Sequence, residues 1–179
     1  MTARRVLVSL SLLAWSMTTF SAARARRDPL NAKETDELRE AAQDPQNRFK
    51  LYIKFTQERL VAAEDLRSPV DPPPDRGQRI HDALEDFASL VDEISDNVDS
   101  YDRQQQDLRK SLPLLIQADT GWQERLRQFK EGVVKDPELS KDSRDFFFVL
   151  DGAVDAANSL AENARQTLEE QIAAKNKKK

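Results

Sequence analysis

The chain has 179 residues, a formal net charge of −4, one histidine and no cysteine. Its acidic balance argues against general nucleic-acid binding, which works by neutralising phosphates. The missing thiols remove disulfides, thiol catalysis, thiolate metal sites and iron–sulfur clusters. Four glycines are too few for the turns of a many-stranded sheet, so composition points to an all-α chain.

The first 25 residues have the three-part plan of a secretory signal peptide. Arg4 and Arg5 make a basic start, Val6 to Phe20 an apolar stretch, and Ser21, Ala22, Ala23 and Ala25 supply the small residues a signal peptidase accepts. Cleavage after Ala23 or after Ala25 fits equally. Extending the apolar stretch to Ala23 brings it to the lower edge of spanning length, so an uncleaved anchor is the competing reading. Export places the remaining chain in the periplasm or outside the cell. Residues 26–174 are of ordinary single-domain size.

A first helix is expected from Asn31, which with Glu34 has capping-box spacing, through Leu38 and Ala42. Asp44 and Pro45 break it and suit the N-cap and first position of a second helix, which carries Phe49, Tyr52, Ile53, Leu60 and Ala63 on one side as far as Leu66. Residues 68–75 (SPVDPPPD) are too proline-rich for a helix and make a stiff connection.

Beyond that connection Ile80, Leu84, Phe87, Val91, Ile94, Val98 and Tyr101 alternate spacings of four and three, an unbroken heptad seam. The same register continues through Gln105, Leu108, Leu112, Leu115, Asp119, Trp122, Leu126, Phe129 and Val133, with polar residues at Gln105 and Asp119. Pro113 and Gly121 interrupt this stretch. Residues 78–134 therefore form either one long helix kinked near Pro113 or two helices meeting between Leu112 and Thr120, where Thr120 and Gln123 have capping-box spacing.

A last helix is expected from about Ser143, after Asp136 and Pro137, with Phe146 or Phe147, Leu150, Val154, Ala157, Ala161, Ala164 and Leu168 on its inner stripe. Residues 175–179, four lysines and an asparagine, read as a basic disordered tail. Helices with one apolar stripe each, joined by short links, predict an antiparallel helical bundle with a coiled-coil-like central helix, as a monomer or a homodimer. The run Phe146, Phe147, Phe148 cannot lie on one narrow stripe, because successive helical residues point about 100° apart. At least one of these rings must sit at the margin of the core.

The residues offer little catalytic equipment. His81 stands alone, one position after Ile80, and no glycine-bounded nucleophile serine accompanies it. A carboxylate-bridged di-metal bundle needs two Glu-x-x-His pairs, and Gln78 occupies the glutamate position before His81. His81 and Glu85 share a helix face but make only two ligands. Gly77, Gly121, Gly132 and Gly152 are isolated, so none forms a phosphate cradle. Asp92, Glu93, Asp96, Asp99 and Asp102 have the spacing of a solvated helix face, not of a calcium loop, and Glu85 with Asp86 lacks any sign of a sugar-binding cleft.

No catalytic, cofactor-binding or metal-binding residue is assigned. The expected function is an exported, non-enzymatic helical-bundle protein that binds another protein or serves a structural role. The alternative is a carrier of a lipid or apolar ligand, or a membrane-surface protein held weakly by its terminal lysines.

Overall fold

The computed structural model describes residues 27–177, and these are all-helical: α1 (Ala32–Glu40), α2 (Pro45–Asp65), α3 (Arg76–Arg103), α4 (Leu112–Lys135) and α5 (Pro137–Lys177). The expected signal segment and its cleavage site lie outside the described residues, as do Lys178 and Lys179. No helix among the described residues is long and apolar enough to cross a membrane.

Both expected N-terminal caps are formed. The Glu34 backbone N–H donates to Asn31 Oδ1 at 3.0 Å while Glu34 Oε2 accepts from the Asn31 N–H at 2.8 Å. Glu34 then accepts a second hydrogen bond from Arg59 at 2.5 Å, which ties α1 to α2. Asp44 Oδ1 accepts from the Asn47 N–H at 3.1 Å with Pro45 opening α2. Along α2 the buried positions are Phe49, Tyr52, Phe55, Thr56, Leu60 and Ala63. Ile53 is only half-buried, since the stripe is centred nearer Phe55.

Every seam residue from Ile80 to Tyr101 is buried within this one chain, so the stripe of α3 is covered by its own neighbours. The long central helix does not continue, however. α3 stops at Arg103, and the chain reverses in a Schellman-type turn: the Gln105 N–H donates to the Asp102 carbonyl at 2.8 Å and the Gln106 N–H to the Tyr101 carbonyl at 3.0 Å. Gln105 takes the left-handed conformation, with φ of 58°, where glycine is usual. Its polar seam position is thus a turn position in water. Pro113 causes no kink, because it occupies the first turn of α4, where its missing N–H costs nothing. Thr120 caps nothing; it lies inside α4 and its hydroxyl donates to the Ile116 carbonyl at 2.8 Å.

α5 begins six residues earlier than Ser143, because Asp136 caps it: Asp136 Oδ1 accepts from the N–H groups of Glu138 and Leu139 at 2.9 and 3.3 Å. The helix then runs through Lys177, so residues 175–177, expected in a disordered tail, extend it instead, with basic side chains on a carbonyl-rich end. Its inner stripe is Leu139, Phe146, Leu150, Ala153, Ala157, Leu160, Ala161, Ala164 and Thr167. Val154 and Leu168 sit half-buried beside it.

α2, α3, α5 and α4 enclose the core in that order, with α1 laid along α2. Cross-links fix the directions. Tyr101 stacks on Phe49 while Glu93 meets Tyr52, so α2 and α3 run antiparallel. Lys130 meets Asp151 and Gln123 lies beside Ala157, so α4 and α5 do too. By contrast Arg76 pairs with Asp142 and Gln171 reaches Asp102, which makes α3 and α5 parallel. Gln57 with Trp122 and Glu64 with Arg125 make α2 and α4 parallel as well. The expected antiparallel arrangement therefore holds for two of the four sides, because the link from α3 to α4 crosses the bundle diagonally. Edge-to-face pairs Phe49–Tyr101, Phe87–Trp122 and Phe129–Phe146, with centroids 5.9, 5.7 and 6.1 Å apart, fill successive layers of the core.

Candidate functional site

Parallel packing of α3 and α5 leaves a groove on their shared outer side, with a volume of about 450 Å³. α3 lines it with His81, Glu85, Ala88 and Asp92, and α5 lines it chiefly with Phe148, Gly152 and Asp155. The phase of α5 decides which phenylalanine reaches it. Phe146 is buried against Phe129 in the core. Phe147 points towards α4, where the Lys130 ammonium lies 5.4 Å from its ring centre. Phe148, two positions and about 200° on from Phe146, projects away from the core and is 93 % exposed. The sequence requires a marginal ring in this triplet, and the structure identifies it.

The groove is built from two cation-poor stretches. From Ile80 to Asp102 the sequence has eight carboxylates and no lysine or arginine, and from Asp145 to Ala164 it has four and again no cation. Charges turned towards α2 are partly compensated: Arg27 binds Asp86 at 2.6 Å and approaches Asp82 at 3.6 Å, and the Tyr52 hydroxyl donates to Glu93 at 3.3 Å. Glu85, Asp92 and Asp155 line the groove. Beyond it Asn163 bridges the helices, donating to Ser95 Oγ and Asp99 Oδ1, each at 2.9 Å.

His81 sits at one end of this groove. Its Nδ1 is shielded from water, has no hydrogen-bond partner and lies 3.5 Å from Asp82 Oδ1. Ligand atoms of His81, Asp82 and Glu85 come within 4.8 Å of one another, the set among the described residues best placed to hold a metal ion. Asp82 is also engaged by the Gln78 side chain at 2.6 Å and by Arg27. His81 and Glu85 thus come together as their i, i+4 spacing predicts, and the structure adds a third ligand group, Asp82, which that pairing did not include.

The other chemically unusual group is Asp119, wholly buried between α4 and α5. Gln123 Nε2 donates to its Oδ2 at 2.8 Å, while Oδ1 has no partner. Burial pushes its carboxyl up to about 7, opposed by the charge of Arg165 and the Gln123 hydrogen bond. A polar residue at a heptad core position is visible in the sequence. Its isolation is not, because that depends on which residues of α5 lie opposite.

The glycines make no ligand cradle. Gly77 serves packing: a Cβ there would lie 2.7 Å from Asp145 Oδ2 and 3.1 Å from the Asp142 carbonyl, so its absence lets the first turn of α3 close on α5. No protein-family model, curated protein or solved structure matches this chain.

Proposed function

We propose that this is an exported, non-enzymatic helical-bundle protein that acts by binding another protein through the groove between α3 and α5. One observation carries the reading: Phe148 stands 93 % exposed beside that groove, while the other rings of comparable size among the described residues are buried or, for Phe147, shielded by a cation. Burying such a side chain is worth about 1.5–3 kcal/mol, a gain that folding leaves unused and a partner can take. Closely filled aromatic layers at the centre of the bundle favour surface docking over carriage of an apolar ligand, which requires the helices to part. Export rests on the basic, apolar and small-residue order of residues 1–25. Contact with a membrane is at most weak, through the terminal lysines.

The test is a photoreactive phenylalanine analogue placed at position 148 in the protein's own host, with the same analogue at Val134, which is 78 % exposed on α4, as the control. The expected result is one discrete protein adduct from position 148 and none from position 134. Equal capture at both positions, or adducts only to lipid, overturns the reading. Native mass of the exported protein is expected to match a chain starting at Arg24 or Arg26, and retained lipid would replace docking with the carrier alternative.

A further inference from the structure

Resting on that reading, we propose that the groove takes a basic amphipathic helix of a partner protein, whose apolar edge packs on Phe148 and whose lysines or arginines lie along Glu85 and Asp155. Shape and charge support this together. The floor between the two helices is made by Ala88, Gly152 and Ala156, small side chains that let a third helix approach closely. At the His81 end of the groove Phe148 offers a large exposed ring, a side chain of the type enriched at interfaces. A helix laid in a groove reads it through residues at i, i+3, i+4 and i+7.

Charge selects the partner's sign. The stretches that border the groove, Ile80–Asp102 and Asp145–Ala164, contain no lysine or arginine, and the one cation that binds the first of them, Arg27, sits on Asp86 and Asp82, leaving Glu85 and Asp155 to set the sign at the groove. An acidic or neutral helix would meet repulsion or leave this field unanswered, whereas a basic helix is steered in and held in register. A second copy of this chain offers a poor match, since its own equivalent face is equally acidic.

The test uses the exported chain without its first 25 residues and two synthetic three-heptad peptides, one of leucine and lysine and one of leucine and glutamate, titrated calorimetrically at low and physiological salt. The leucine–lysine peptide is expected to bind, more weakly as salt rises. Phe148→Ser and the double variant Glu85→Lys/Asp155→Lys should each reduce its affinity at least tenfold. Val70→Ser, at a fully exposed position in the proline-rich link, should leave it unchanged. All variants must keep the far-ultraviolet signal and melting transition of the parent, as expected for changes outside the core. Absence of binding, or binding that neither groove variant alters, overturns both this inference and the docking face. Equal or tighter binding of the leucine–glutamate peptide that still depends on Phe148 keeps the docking face and overturns the basic partner. Sedimentation showing Phe148-dependent dimers makes a second copy the occupant and likewise overturns it.

Discussion

Replacing Asp119 with asparagine should remove a defined part of the protein's pH dependence. The carboxyl has an ordinary value of 3.8 and is raised to about 7 in the fold, and the residue is wholly buried, so solvent does not screen the effect. At ~1.4 kcal/mol per pH unit, the fully expressed difference is about 4 kcal/mol. The sign is fixed by linkage. Below the unfolded value both states hold the proton and nothing is lost. As pH rises the unfolded chain releases its proton first while the folded one retains it, and stability falls until the folded carboxyl ionises near 7. Between pH 5 and pH 8 the loss from this one group is about 2.5 kcal/mol, or a urea midpoint shift of about 1 M for a protein of this size. Asparagine keeps an acceptor for Gln123 and places a neutral group where Oδ1 has no partner, so it stands in for the protonated acid. Asp86 and Glu93, also raised by burial, are common to both proteins and cancel in the comparison. Glu34 and Asp107 are lowered, and their contributions are lost only as pH falls through the acid range. Urea unfolding at pH 5 and pH 8, followed by circular dichroism, should therefore show the parent weakening over this interval by about 2.5 kcal/mol more than the variant. Equal pH slopes, or a variant less stable than the parent at pH 8, would refute the assignment.

Further substitutions test the turns and the core. Gln105→Gly relieves a non-glycine residue at φ of 58° and should stabilise the protein by about 0.5–1 kcal/mol, read as a rise in melting temperature. Gly77→Ala places a methyl group 2.7 Å from the Asp145 carboxylate and 3.1 Å from a backbone carbonyl; a loss of about 1–3 kcal/mol in urea unfolding is expected. Val91→Asp and Ile94→Asp put an unpaired charge where the parent side chains are 1 % and 0 % exposed, and each should cost more than about 4 kcal/mol. A full helical signal and an unchanged melt in either variant would show that the seam register is wrong.

The fold was legible wherever the signal is local. Asn31 with Glu34 and Asp44 with Pro45 declare their helix starts within four residues, and both caps form as the side-chain chemistry requires. The stripe of α3 follows from spacing alone. The break between α3 and α4 hides for a specific reason: Tyr101 and Leu108 are seven residues apart, as they would be in a continuous seam, so the turn preserves the register it interrupts. No glycine marks that turn, because Gln105 takes the left-handed position itself. Pro113 then draws attention to a point about two helical turns beyond the reversal at Gln105. The late placing of the last helix has a different origin. Asp136 and Pro137 repeat the chemistry of Asp44 and Pro45, but the polar residues from Glu138 to Asp145 dilute the apolar pattern around the single buried Leu139.

Neither part of the candidate site could be read from one helix. Residue spacing makes the outer row of α3 a charged face and requires one ring of the phenylalanine triplet to leave the core, and both statements hold for a helix in isolation. The groove exists because α3 and α5 are parallel neighbours, and that arrangement follows from the diagonal path of the chain between α3 and α4, where heptad spacing is silent. On the side of α3 turned towards α2 the carboxylates do meet a cation within the fold, Arg27 on Asp86 and Asp82. Setting the two cation-poor stretches side by side makes their fields add over the length of the groove. Phe148 and the carboxylates of Glu85 and Asp155 are thereby brought to the same side of the bundle, where the proposed basic, apolar-edged helix would meet both.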